Sequence, residues 1–217
     1  MTAAPGLLPG PAEAAVFATA VVVLNATPGV DFLLTVSRTL HGGWRAGLAA
    51  TLGISAGCLV HALAAAFGLA ALLAVHPKAF ALIQWAGAAY LVWLGTGMLR
   101  QAWRSGNAPQ AETAPMRSRS AWAEFSNGLL TNVLNPKVAL FFLAFLPQFV
   151  PAASPNPTLS FLLLGAWFIV QGTLFLLAAQ LQRLGTSGPL RRVLNTLGGL
   201  LFIGLALRIL KERPAAP

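Results

Sequence analysis

Six stretches of the chain are apolar enough to cross a membrane, and polar clusters separate them. A hydrocarbon core about 30 Å thick needs roughly 20 apolar residues in helical form. The stretches fall at about 13–36, 46–73, 79–99, 123–150, 158–181 and 193–210. The pattern predicts an all-α polytopic membrane protein with six transmembrane helices in a single domain.

The longest polar interval is RQAWRSGNAPQAETAPMRSRSAW, about 100–122. It is rich in Ser, Pro, Ala and charge and reads as a cytoplasmic linker. Trp103 and Trp122 flank it, where interfacial anchors belong. It divides the domain into a first half, about 1–99, and a second half, about 123–217. Each half holds three spans. An odd number of spans inverts the second half relative to the first, so the expected design is two inverted three-helix repeats.

Composition agrees with the pattern. Of 217 residues, 57% are hydrophobic and 9% charged, and the mean hydropathy is +0.72. Soluble domains carry about 25% charged residues. The net charge of +9 would suggest nucleic acid in a soluble protein. Here the bases lie between apolar segments, which excludes that partner. Arg38, Arg45, Arg100, Arg104, Arg117, Arg119, Arg183, Arg191 and Arg192 fall in odd-to-even loops, and Lys78 in an even-to-odd loop. The positive-inside rule puts the odd-to-even loops in the cytoplasm and the N-terminus outside. Arg208, Lys211 and Arg213 in the tail break the pattern, because six spans place them outside too. The start MTAAPGLLPGPAEAAVF lacks the basic leader of a secretory signal, so the first apolar segment is expected to remain as a span. The single cysteine, Cys58, rules out an intrachain disulfide and reads as a packing residue.

The first and fourth segments are interrupted alike. The first reads VVVLNATPGVDFLLTV and the fourth LLTNVLNPKVALFFLAF. Each places Asn and Pro in mid-segment and follows them with a charge: Asn25, Pro28, Gly29 and Asp31 in one, Asn132, Asn135, Pro136 and Lys137 in the other. Proline lacks an N–H and its ring clashes with the carbonyl four residues back. Those carbonyls belong to Leu24 and Asn132. Broken backbone at membrane depth survives only against protein or a water-filled cavity. Paired breaks in matching segments of two halves are the sequence sign of a transporter's midplane site. Asp31 and Lys137 are the charges deepest in the predicted segments, and intramembrane charge marks function by default. They can pair with each other, or open to take an ammonium and a carboxylate.

At these residues the chain resembles the lysine exporter (LysE/RhtB) family of amino-acid efflux transporters. The stretch NATPGVDFLLTVSRTLHGGWRAGLAATLGISAG is similar to its first signature, and FSNGLLTNVLNPKVALFFLAFLPQFV to its second. Val30 stands where the family commonly has a second proline. The resemblance implies export of amino acids or their derivatives across a bacterial inner membrane, driven by the proton motive force. Its signature positions fall on Pro28, Gly29 and Asp31, then on Asn135, Pro136, Lys137, Pro147, Gln148 and Phe149.

Other patterns carry less. GISAG at 53–57 matches a nucleophile elbow, but that turn belongs between strand and helix. His61 lies about 240° around the helix from Ser55 and cannot serve as its base. Gly53 and Gly57, continued by Gly43 and Gly47, read as a small-residue packing face, which permits a homodimer. His41, His61 and His76 share no metal-ligand spacing, and no cofactor or metal is expected. His61 reads as a hydrogen-bonded packing residue, with a proton relay as the alternative. Asn127 and Gln171 are polar positions that can line a path. Phe141, Phe142, Phe145 and Phe149 follow helical spacing and read as lipid-facing or core. The expected site is therefore Asn25, Pro28, Gly29, Asp31, Asn132, Asn135, Pro136, Lys137 and Gln148. Its expected work is binding a small amino acid by alternating access. Export of another small solute, an intramembrane hydrolase and a scaffold are the alternatives.

Overall fold

The computed structural model describes residues 6–26, 29–103, 120–151, 153–181 and 188–211. Pro28, Arg104, Arg117, Arg119, Arg183 and Arg213 lie outside the described residues. So does most of the predicted linker.

The described chain is helical throughout. Helix α1 covers Pro11–Ala26 and α2 covers Val30–Ala64. A π-helical turn, Ala65–Leu69, joins α2 to α3, Ala70–Val75. Helix α4 is Pro77–Trp103, α5 Ala121–Val133 and α6 Pro136–Ala144. A 3-10 turn, Leu146–Phe149, follows α6, and α7 (Pro157–Leu181) and α8 (Gly188–Lys211) complete the chain. Among the described residues three helical stretches are long and apolar enough to cross a membrane: Val30–Leu72, Ala81–Trp103 and Pro157–Gln180. The pair Ala121–Val133 and Pro136–Phe149, bent by 51°, makes a fourth. Pro11–Ala26 and Asn195–Arg208 are shorter apolar helices.

Both predicted breaks occur. The first separates α1 from α2, whose N-cap is Gly29. The second separates α5 from α6. Pro136 occupies the first turn of α6, where its missing N–H is harmless. Asn135 caps that helix, its Oδ1 accepting from Lys137 N at 3.0 Å.

The structure corrects one expectation. Residues 37–45, read as a loop carrying Arg38 and Arg45, are helical except at Gly43. Gly43 has φ 78° and ψ 176°, a left-handed backbone that glycine adopts without a Cβ penalty. The helix therefore turns sharply at one residue instead of unwinding. The predicted first segment, 13–36, thus covers most of α1 and the start of α2, and the predicted second, 46–73, begins just past Gly43.

Packing explains the glycines. A Cβ on Gly53 would run into the Phe125 carbonyl, and one on Gly128 into the Ala50 carbonyl. One on Gly57 would lie 2.6 Å from Asn132 Oδ1. The predicted small-residue face is thus spent inside the chain, bringing α2 and α5 into backbone contact. Helices α4 and α8 run antiparallel, with Gly95 against Gly199 and Arg192 Nε donating to the Ala102 carbonyl at 3.0 Å.

The two ends of the bundle differ. At one end Arg208 meets Glu13 at 2.8 Å, so the start of α1 and the end of α8 lie together. Of the bases in the discordant tail, Arg208 thus shares an end with the start of α1. Inward from this end a block of aromatic rings fills the core. Phe17, Phe141, Phe142, Phe145, Phe149, Phe161 and Phe202 are almost fully buried. Phe141 stacks on Phe145 at 4.3 Å, and Phe17 lies 5.2 Å from both Phe149 and Trp167. The phenylalanine run is core. Trp103 and Trp122, at the other end, are exposed as anchors should be.

Candidate functional site

The two breaks face one another. Asp31 stands in the first turn of α2, just past the first break. Its Oδ2 accepts from Asn132 Nδ2 at 2.9 Å and from Asn135 Nδ2 at 3.2 Å. Its other oxygen, Oδ1, is buried and takes no hydrogen bond from the described residues. The carboxylate of the first half is thus held by two amides of the second, and one of its oxygens is unspent.

The carbonyls released by the two prolines are both taken. Leu24, four residues before Pro28, offers its carbonyl to Lys137 Nζ at 3.3 Å. Asn132, four residues before Pro136, offers its carbonyl to His61 Nε2 at 3.1 Å and to Asn135 N at 3.0 Å. His61 Nε2 must carry its proton to do so, because a carbonyl only accepts. In each case a side chain of one half satisfies the broken backbone of the other. Unpaired carbonyls at membrane depth cost several kcal/mol, so these contacts explain why the interruptions are tolerated.

Between the breaks lies a small cavity, with about 40 Å3 open to the centres of water molecules and part of it continuous with the outside. Asn25, Gly29, Asp31, Asn135 and Lys137 line it. Helix α2 contributes Ser55 and Cys58, and α7 contributes Gly172 and Thr173. Apolar walls come from Ile54, Phe168, Ile169 and Leu176. Ser55 Oγ and Thr173 Oγ1 are 2.6 Å apart. A Cβ on Gly172 would come within 3.2 Å of Asn25 Oδ1, so that glycine keeps the amide's side of the cavity open. The result is a small chamber with a carboxylate, an amine, amides and hydroxyls on apolar walls.

Not every expected residue reaches it. Asn132 stands behind Asp31 and Pro136 sets the bend, while Pro28 is outside the described residues. Gln148 sits in the 3-10 turn and donates to the Ala144 carbonyl at 3.1 Å, away from the chamber. Gln171 donates to the Ala18 carbonyl at 2.7 Å, and Asn127 does not line the chamber. The sequence reading missed Ser55, Cys58, Gly172 and Thr173 as lining. A Gln-Gly-Thr run, residues 171–173, inside the largely apolar α7 was the available signal.

It also missed a buried ion pair. Arg38 Nε lies 3.1 Å from Glu124 Oε2, with side chains 9% and 4% exposed. The contact is electrostatic and lies outside good hydrogen-bond alignment.

The profile of the LysE type translocators matches residues 22–213. The chain belongs to the LysE-type translocator family. Its relatives agree. It is 36% identical over 156 residues, 72% of each chain, to an uncharacterized membrane protein of Pseudomonas aeruginosa. It is 35% identical to an uncharacterized membrane protein of Vibrio cholerae over 86% of this chain and 90% of that one. It is 30% identical to a homoserine/homoserine lactone efflux protein of Salmonella typhimurium over 89% of this chain and 93% of that one. No solved structure matches the translocator. Family membership makes it a membrane transporter of small molecules, not an enzyme. The GISAG stretch fits that: Ser55 donates to the Thr51 carbonyl at 2.9 Å, on a continuous helix.

Proposed function

We propose that this translocator exports small amino acids or their derivatives across the bacterial inner membrane by alternating access, driven by the proton motive force. One observation carries the reading: a chamber between two broken helices gathers Asp31 from one half and Lys137 from the other. An amino acid's ammonium fits Asp31, whose Oδ1 is unspent. Its carboxylate fits Lys137 and the start of α2, where no side chain caps the free N–H groups. Asn25 and Asn135 complete the polar wall. Asp31 also accepts the coupling proton when substrate is absent, so proton and ammonium compete for one oxygen pair.

The same reading takes the chain as six spans in two inverted three-helix halves. Helix pairing supports it. Under the inverted repeat, α1 corresponds to α5–α6, the second span in α2 to α7, and α4 to α8. The contact of α1 with α7 then matches that of α5 with α2, and α1 with α8 matches α6 with α4. Loop bases and the shared position of Glu13 and Arg208 support the orientation, with both ends outside.

The Salmonella relative's name makes homoserine and homoserine lactone the first substrates to try. Efflux from preloaded cells, followed by mass spectrometry across amino acids, tests the proposal. Efflux of one amino-acid class that disappears in Asp31→Asn is expected. Correctly inserted protein that moves no amino acid would overturn it.

A further inference from the structure

Residues 30–42 of α2 form an arm between two swivels. One end is Gly29, the extended N-cap residue of α2, and the other is Gly43, whose φ of 78° leaves the helix. Beyond Gly43 the helix is locked. Its backbone touches α5 at Gly53 and Gly128, and it is tied to α7 by Gln180, whose Nε2 donates to Thr51 Oγ1 at 2.6 Å and to the Gly47 carbonyl at 3.3 Å.

The arm itself runs antiparallel beside α5 and is fastened there twice. At the chamber, Asp31 takes the amides of Asn132 and Asn135. Seven residues on, about 10 Å along the helix, Arg38 meets Glu124. Glu124 sits in the first turn of α5, at the end where Arg192 meets the Ala102 carbonyl. In the orientation proposed above this is the cytoplasmic end. The pair joins the two halves, and both members are shielded from solvent.

An ion pair of this kind is a poor structural fastener. Desolvating two charges offsets most of their attraction, and apolar residues of like volume hold helices as well. What it supplies is a contact that loses its strength once water enters, because the attraction falls steeply as the local dielectric rises. A hinged arm with such a contact at its tip is suited to open and close.

We propose that Arg38 and Glu124 are the cytoplasmic gate of the transport path. With the pair made, the arm lies on α5 and seals the chamber from the cytoplasm. With it broken, the arm swings on Gly43 and the chamber opens inward to load substrate. The Asp31 contacts couple the gate to its cargo. An ammonium or proton arriving on Asp31 Oδ1 draws on the same carboxylate charge that the Asn132 and Asn135 amides meet at Oδ2, and so loosens the arm's other fastening. The proposal rests on the transporter reading but not on which solute is carried.

Cys58 supplies the test, since it is the one cysteine and lines the chamber. The full chain is prepared in inside-out and right-side-out membrane vesicles. Modification of Cys58 by a membrane-impermeant methanethiosulfonate is timed by mass shift, with Cys58→Ser as the blank. Arg38→Gln and Glu124→Gln should each raise the rate from the cytoplasmic face by about tenfold, a shift of the open fraction by that factor. The rate from the other face should not change, and the exchanged pair Arg38→Glu with Glu124→Arg should restore the slow rate. The double variant Arg38→Gln with Glu124→Gln leaves no buried charge unpaired. It guards against failed insertion and should show the same rise. Arg208→Gln, at the opposite end, should leave the cytoplasmic rate unchanged. An unaltered cytoplasmic rate in the Gln variants overturns the gate. So does an equal rise from both faces, which would indicate a loosened fold. A one-sided rise in a protein that exports no amino acid sustains the gate and removes the amino-acid reading.

Discussion

Asp31→Asn separates the work of Asp31's charge from its structural part. In the parent, Asp31 Oδ2 takes two N–H groups, from Asn132 and Asn135. Hydrogen bonds to a charged partner contribute about 1.5–3 kcal/mol each, against about 1 kcal/mol for neutral ones. An asparagine placed with its oxygen at the Oδ2 position keeps both contacts in the neutral form, so the substitution loses roughly 1–4 kcal/mol. Against that, a charge in a membrane segment costs roughly 2.5–3.5 kcal/mol on insertion scales, and the amide removes that cost. The two nearly cancel, and stability should change by less than about 2 kcal/mol in either direction. Transport has no such offset. Losing the charge that meets the ammonium or proton should lower the rate at least about 100-fold, roughly 2.7 kcal/mol of barrier. Thermal unfolding in detergent and efflux of the identified substrate are measured on the same preparation. Efflux above a tenth of the parent rate, with stability unchanged, would refute the role given to Asp31. A stability loss above about 4 kcal/mol would show the carboxylate to be a structural brace.

Other outcomes follow from the same contacts. Lys137→Met deprives the Leu24 carbonyl of its partner and the chamber of its amine, and should abolish efflux as measured in preloaded cells; parental efflux would remove Lys137 from the site. His61→Phe leaves the Asn132 carbonyl with backbone N–H partners only, and should cost about 1–2 kcal/mol in thermal unfolding while slowing efflux. Gly128→Ala drives a Cβ into the Ala50 carbonyl, backbone against backbone. It should destabilise by about 1–3 kcal/mol, more than Gly204→Ala, whose Cβ meets nothing within 4 Å. Ser55→Ala should leave efflux within about tenfold of the parent; complete loss would reopen a chemical role for the hydroxyl.

The helix breaks were legible because their causes are local. Proline at 136 forbids one hydrogen bond wherever the chain goes, and asparagine beside it makes a cap. Long apolar runs made four of the six predicted segments close to the observed helices, as with 158–181 against Pro157–Leu181. The expected inverted halves bring the two breaks together, and Asp31 and Lys137 do line one chamber. A turn was legible at 37–45, where SRTLHGGWR interrupts the apolar run, but its form was not: Gly43 alone bends the chain while the residues on either side stay helical. Arg38 and Glu124 were hidden for a different reason. They are distant in sequence, and each alone looks like an ordinary charge near a segment end. Gln148 was assigned by its signature position, whereas its side chain closes the 3-10 turn it belongs to.

The exchange of partners across the two breaks bears on how the protein is made. Ribosomes deliver the first half to the membrane before the second exists. Until Lys137 emerges, the Leu24 carbonyl lacks the side chain that satisfies it in the finished molecule. Until the first half is in place, the Asn132 carbonyl lacks His61. Neither half therefore reaches its mature form alone. The two contacts are made together, when the halves dock.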